Sequence, residues 1–285
     1  MSHLLLKSLG QHFLRNPEDA DKIARSWDGL DVLDVLEVGP GDGRLTRSLL
    51  KRAKRIVAVE VDKRWADHLW RTFEGHPGFV LRHDDVTKIE WTREFERPFV
   101  LFGNLPYNLS SSILFGAIEI ARKQIYQPDE SRPKLLGMVV MLQREVAERC
   151  AAKPGDSDYG VLSTFLQLFG NVEILFTLPP SAFQPPPKVY SSIIRVTFDK
   201  PALQIDNWLL LNTLIRSSYA GRRKMLRNTL PSIRPPLPAG FLDCSFDLSR
   251  RPQTLSPEEW VTFTNELNTM GGWKKEETKK QKQSE

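Results

Sequence analysis

Asn104-Leu105-Pro106-Tyr107 combines in four residues the groups needed to grip an exocyclic amino group on an aromatic ring. Such a nitrogen is a weak nucleophile because its lone pair is delocalised into the ring. Drawing both of its hydrogens into acceptors returns electron density to it. Asn104 offers a side-chain carbonyl, Leu105 a backbone carbonyl in a turn stiffened by Pro106, and Tyr107 a face on which a base can stack. The apolar run before it, Pro98 to Phe102, reads as a buried strand. The tetrapeptide then falls at a strand's C-terminal end, where open α/β sheets bind ligands. A short segment with Asn and Pro is also an ordinary turn, so its meaning depends on what precedes it.

What precedes it is Val35-Leu-Glu-Val-Gly39-Pro-Gly41-Asp-Gly43, a short apolar strand running into three glycines at alternate positions and then a helical pattern. Gly39 and Gly41 let the backbone turn tightly against a ligand, and Gly43 opens a helix whose free amide hydrogens favour an anion. The spacing G-x-G-x-G points to a nucleotide-like ligand, yet it lacks the third glycine of the dinucleotide fingerprint, which disfavours nicotinamide. A second strand pattern, Arg55 to Glu60, ends in an acid about twenty residues after the glycines, where a ribose presents its hydroxyls. A third, Phe79 to His83, runs into Asp84 and Asp85, and Asp85 is placed to accept from an adenine amino group. Each feature alone has an ordinary turn or cap as its alternative. Four in register at successive strand ends are hard to explain that way.

These segments resemble the KsgA-type ribosomal RNA adenine dimethyltransferase family. The likeness extends from Gly10-Gln-His-Phe-Leu14 to about residue 268 and includes Leu142-Gln-Arg-Glu-Val146, Tyr159-Gly-Val-Leu-Ser163, Pro179 to Val189, and Arg222-Arg-Lys-Met-Leu-Arg-Asn228. The glycine loop alone would mark only a class I methyltransferase; the proline-rich and arginine-rich segments narrow it. The resemblance implies S-adenosylmethionine as cofactor, S-adenosyl-L-homocysteine as product, and no metal. It implies N6,N6-dimethylation of adjacent adenines near the 3′ end of small-subunit, 16S-type ribosomal RNA, late in small-subunit assembly, with that RNA or a pre-30S particle as partner. By the same route His12 and Leu14 are cofactor contacts beside Gly39, Gly41, Glu60, Asp85 and Asn104. Family members commonly carry Asn where this chain has His12. Phe183, in the proline-stiffened loop Ser181 to Lys188, either caps the core or is held out as a second stacking face; the resemblance implies stacking. Catalysis would then rest on Asn104, Leu105, Pro106, Tyr107 and Phe183.

The elements that position these groups alternate. Strand patterns lie at 34–38, 55–60, 79–83, 98–103 and 135–142, with helical patterns near 44–53, 63–73, 111–123, 144–152 and 159–169, plus a capped helix from Asn16 to about Trp27. Such alternation predicts a mainly parallel sheet covered on both faces, a Rossmann-like α/β fold. Val172–Leu178 and Tyr190–Phe198 add a hairpin that brings one antiparallel strand. Beyond Lys200-Pro201 helical spacing takes over, at Trp208, Leu211, Leu214 and Ile215. The expected organisation is a methyltransferase domain over 1–200, a small helical RNA-binding domain over 201–270 and a disordered basic tail over 271–285.

Charge is local. Arg216 to Arg234 holds six basic residues and no acid, while the formal charge of the whole chain is only +5. Arg222, Arg223, Lys224 and Arg227, on a helix interrupted by Gly221, are therefore candidate RNA-binding residues, against the plainer reading of a solvated helix face, and Lys188 in the proline-rich loop is a further candidate for a phosphate. At 285 residues and 40% hydrophobic content the chain can bury a substantial core. Cys150 and Cys244 read as reduced, buried thiols of a cytoplasmic protein, and the five histidines show no metal-ligand spacing. No apolar run reaches the length of a membrane span, and no heptad is present, which makes a monomer the default. Duplex DNA and large-subunit RNA are the rival substrates. DNA adenine methyltransferases commonly read Asn-Pro-Pro-Tyr or Asp-Pro-Pro-Tyr at the clamp, whereas leucine stands second here. A catalytically silent assembly factor is the rival of a different class.

Overall fold

The computed structural model describes residues 12–106, 108–271 and 273. Tyr107 and the tail beyond Trp273 lie outside the described residues. The chain divides into two compact units, one of residues up to 151 together with 169–200, the other of 152–168 together with 201 onward.

The first unit is built on β1 (Phe13–Leu14), α1 (Pro17–Ala24), β2 (Asp34–Val38), α2 (Arg44–Leu50), β3 (Arg55–Glu60), α3 (Lys63–Phe73), β4 (Phe79–His83), β5 (Phe99–Asn104), α4 (Ser110–Tyr126), β6 (Leu135–Gln143), α5 (Arg144–Ala151), β7 (Asn171–Leu178), β8 (Phe183–Gln184) and β9 (Ser191–Thr197). Seven strands form one sheet in the order β4-β3-β2-β5-β6-β9-β7, parallel except for β9, which runs antiparallel to both neighbours. The hairpin expected from the sequence therefore supplies the single antiparallel strand. The central strands read as continuous Val, Leu, Ile and Phe because both faces are covered: all of Val35, Leu36, Val57, Val100, Leu101 and Phe102 are fully buried. The order reverses between β2 and β5, so the loops after these two strands diverge and leave a crevice at the sheet's C-terminal edge.

Local chemistry sets the helix ends. The Asn16 side chain accepts from the Glu18 amide and Pro17 opens α1, as the sequence predicts, and the Asp62 side chain caps α3 by accepting from Arg64. Helix α1 ends at Ala24 rather than Trp27, and the Trp27 ring lies over Gly137, where a Cβ would collide with it.

The second unit contains α6 (Val161–Phe169, its last residue belonging to the first unit), α7 (Trp208–Ala220), α8 (Leu226–Thr229) and α9 (Pro257–Thr269). Trp260, Tyr159, Phe165 and Phe263 fill its core. The Thr164 and Tyr219 hydroxyls hydrogen-bond at 3.0 Å, and Phe165 packs on Trp208 with ring centroids 5.7 Å apart. Ser256 and Glu259 form a reciprocal capping box at the start of α9. The sequence pattern places 152–168 with the first domain. In the structure this segment joins 201 onward, with Phe165 packed on Trp208 and Thr164 bonded to Tyr219 of α7.

Candidate active site

The crevice is lined by the loop after β2 (Gly39, Pro40, Gly41, Asp42), by Glu60 and Val61 at the end of β3, and by Gly103, Asn104, Leu105 and Pro106 at the end of β5. His12, Phe13 and Leu14 complete it. Eight of the residues singled out from sequence thus meet in one place: His12, Leu14, Gly39, Gly41, Glu60, Asn104, Leu105 and Pro106.

Most are held by definable bonds. Glu60 accepts the Gly41 amide at 3.1 Å through one carboxylate oxygen and the Asp62 amide at 2.9 Å through the other. A carboxylate has about four lone-pair sites, so Glu60 keeps capacity for hydroxyl donors. The Leu105 amide donates to the Met141 carbonyl at 3.2 Å, which ties the clamp to the end of β6. The Asn104 side-chain nitrogen donates to the His12 carbonyl at 2.7 Å, and the His12 ring nitrogen Nδ1 bonds the Pro185 carbonyl at 2.8 Å.

Residues 12–15 form a strap across the glycine loop. Strand β1 pairs with β8, setting Phe13 opposite Gln184 and Leu14 opposite Phe183, and the Arg15 amide donates to the Ala182 carbonyl at 2.7 Å. From the other side Arg44 donates to the Leu14 and Arg15 carbonyls while its Nε meets Asp42 at 2.9 Å. The Phe13 ring stands edge-on to Trp65, centroids 4.8 Å apart. Gly41 sits beneath that ring at φ +58°, and a Cβ there would overlap it. A left-handed conformation costs a non-glycine residue about 1–2 kcal/mol. Gly41→Ala will therefore lower the unfolding free energy by at least that amount, about 1–2 kcal/mol, in denaturant melts, and will speed amide exchange in the strap.

The electrostatics of the crevice are acidic. Glu37, next to last in β2, lines it with 1% exposure, and neither carboxylate oxygen has a hydrogen-bond partner among the described residues. Burial pushes its carboxyl up to about 8, and the nearby Thr46 hydroxyl offsets this only in part. Burial also raises Glu60, opposed by the Asp62 and Gly41 amides, and raises Asp42, opposed by Arg44. Glu37 is not among the residues that sequence reasoning singles out; its signal is a carboxylate inside an apolar strand immediately before the glycine loop.

Three expectations come out differently. Phe183 is 1% exposed and packs in the core with Leu14, Ile23, Met141 and Ile193. It is not held out: the β1–β8 pairing turns the ring inward, where burying a phenyl group gains about 1.5–3 kcal/mol. Asp85 does not line the crevice. Its carboxylate accepts from the Thr87 amide and hydroxyl at 2.9 and 2.7 Å, bonds that hold it below the usual range. The basic residues Arg222, Arg223 and Lys224 are not helical, since α7 stops at Ala220 with Gly221 as its cap and they occupy the following turn. Tyr107 lies outside the described residues.

A switch-point sheet with one inserted antiparallel strand, a glycine loop, a carboxylate on the next strand end and an Asn-led clamp on β5 define a class I methyltransferase fold. The family model for ribosomal RNA adenine dimethylase matches residues 3–268, and the chain belongs to that family. It is 40% identical over 264 residues to ribosomal RNA small subunit methyltransferase A of Porphyromonas gingivalis, covering 90% of this chain and 95% of that protein. It is 37% identical over 268 residues to the protein of the same name from Hahella chejuensis, covering 93% of each. A solved dimethyladenosine transferase from Plasmodium falciparum matches with TM-score 0.71 and 26% identity over 91% of this chain and 98% of that one. A solved 23S rRNA methyltransferase, ErmE, shares the fold at TM-score 0.61 and 24% identity over 90% and 99%.

Proposed function

We propose that this protein dimethylates N6 of adjacent adenines near the 3′ end of small-subunit ribosomal RNA, late in subunit assembly in the cytoplasm, using S-adenosylmethionine. The observation that carries the reading is that Asn104 and the glycine loop line one crevice. The acidic walls fit the donor: Asp42 and Glu60 oppose its positive charge, and Glu60 has lone pairs left for ribose hydroxyls. Gly39, Gly41, His12 and Leu14 would hold it. When bound, the donor supplies an electrophilic methyl carbon on a sulfonium leaving group.

The protein's task is then positional. Asn104 Oδ1 and the Leu105 carbonyl accept the two N6 hydrogens and aim the nitrogen lone pair; among the described residues nothing else bonds that carbonyl. Pro106 keeps the turn rigid, and Tyr107 stacks on the flipped base. No strong base is required, because a methylated N6 is cationic and sheds its proton. Among the described residues no helix is long and apolar enough to cross a membrane, and no cluster of three or more His, Cys, Asp or Glu residues could hold a metal ion.

RNA phosphates meet the exposed side chains of Lys188, Arg223, Lys224 and Arg227. Arg222 donates to the Ser157 carbonyl and so also braces the second unit. Arg223 and Lys224 form no side-chain hydrogen bond or ion pair among the described residues. Replacing both with alanine will lower the slope of log affinity against log salt by about 1.4–1.8, since each phosphate left unneutralised removes about 0.7–0.9, with the fold unchanged. Filter binding across a salt titration checks this.

The deciding experiment is incubation with labelled S-adenosylmethionine and undermethylated small subunits, large-subunit RNA or duplex DNA, followed by mapping of modified nucleosides. Dimethyladenosine confined to the small-subunit RNA is expected. Label in DNA or large-subunit RNA instead, or none anywhere, overturns the proposal.

A further inference from the structure

An asparagine amide has two ends of nearly equal size, and a half-turn about Cβ–Cγ exchanges them. Only the oxygen can accept a hydrogen from an amino group; the nitrogen presents donors to donors. A clamp built on asparagine therefore needs something that tells its two ends apart. In this chain the discriminator is visible: Asn104 Nδ2 lies 2.7 Å from the His12 carbonyl oxygen, a group that has lone pairs and no hydrogen. The nitrogen satisfies that carbonyl and the flipped oxygen would repel it.

The carbonyl is itself fixed from several directions. The His12 ring reaches the Pro185 carbonyl at 2.8 Å. The next two residues are in register with β8, and Arg44 grips the carbonyls of Leu14 and Arg15. The proline-rich loop, which turns Phe183 inward, thereby holds the strap in place.

We infer that the His12 main-chain carbonyl is a positioning group for the clamp: it sets which end of the Asn104 amide faces the crevice, and it makes asparagine, not aspartate, the residue this chain can use there. The inference rests on the proposed methyl-transfer reading for its catalytic meaning. Its structural content, the coupling of Asn104 to the strap, does not.

Two substitutions at one position separate the possibilities. Asn104→Asp keeps an acceptor oxygen but sets a carboxylate against the His12 carbonyl; Asn104→Ala merely removes the bond. Amide hydrogen exchange at Arg15, whose N–H bonds the Ala182 carbonyl, reports whether the strap stays docked. At neutral pH the Asp variant is expected to lose methyl transfer by about 100-fold or more, as a misplaced clamp would. Its Arg15 amide is expected to exchange faster than in the Ala variant. Lowering the pH until the new carboxyl protonates gives it a hydrogen to donate, and strap protection returns in the Asp variant alone, after correction for intrinsic exchange.

His12→Ala provides a second route. It leaves the clamp's chemistry intact, frees the strap from Pro185, and is expected to lower kcat while leaving KM for RNA unchanged. The inference is overturned if Asn104→Asp transfers methyl groups at the native rate, if it loses transfer with strap exchange unchanged, or if His12→Ala has native kcat. If the native protein methylates no RNA at all, the functional proposal fails, and the exchange contrast among native, Asp and Ala proteins still decides the positioning role.

Discussion

Asn104→Ala lowers the rate of methyl transfer to small-subunit RNA by about 100- to 1000-fold, the effect of deleting one preorganised polar group that meets a reacting atom. Two losses combine. The N6 hydrogens lose an acceptor at the end of β5, and the His12 carbonyl loses the amide that meets it at 2.7 Å. The first falls on kcat and the second on the strap that lines the cofactor crevice, so donor affinity drops as well, by a much smaller factor. Single-turnover kinetics together with calorimetry of donor binding separate the two. A variant with native turnover would remove Asn104 from the chemistry.

Glu37→Gln makes the ligand-free protein more stable at alkaline pH and changes the form of its pH–stability curve. The group's pKa is about 8 in the folded protein and has its ordinary value of 4.5 when unfolded. Below the unfolded value both states hold the proton and nothing is lost. Between roughly pH 4.5 and 8 the unfolded chain ionises while the fold keeps Glu37 neutral, so stability falls by about 1.4 kcal/mol per pH unit from this residue, up to about 5 kcal/mol at most. Above pH 8 the penalty is constant. Glutamine cannot ionise, so the stability gap between variant and native protein widens across that window. Any fixed cost of its extra amide hydrogens shifts the whole difference and leaves its pH dependence intact. Thermal melts at half-unit pH steps measure it, and parallel curves would place Glu37 in a more hydrated site than its burial indicates.

Much of the sheet is legible in the sequence because its strands carry two-sided apolar runs bounded by glycine, proline or acids. Arg55–Glu60, Lys63–Phe73 and Phe79–His83 have the limits that periodicity and end chemistry imply. The crevice is legible where chemistry is local in sequence: Gly39 and Gly41 in the turn, Glu60 at the next strand end, Asn104 and Leu105 after β5. What sequence does not supply depends on pairing at long range. The inward turn of Phe183 follows from its register with Leu14, nearly 170 residues away in the chain, and the strap's grip by Arg44 has no local signature. Asp85 reads as a free acid in sequence, whereas one of its carboxylate oxygens is engaged by Thr87 two residues on. Glu37 shows the converse: a charge that breaks an apolar pattern marks a site because its burial is unfavourable unless a ligand answers it.

The second unit is assembled from two stretches of chain, and this dictates an order of events at the ribosome. Residues 152–168 emerge well before the helices that bury Phe165 and Thr164. At about 5–20 residues per second, the roughly fifty residues from there to the end of α7 leave that segment uncovered for roughly 2.5–10 s on every nascent chain. Termination at residue 200 would make the delay permanent, so a fragment cut there would carry a bare greasy helix and precipitate, whereas joining residue 151 directly to 169 would spare it.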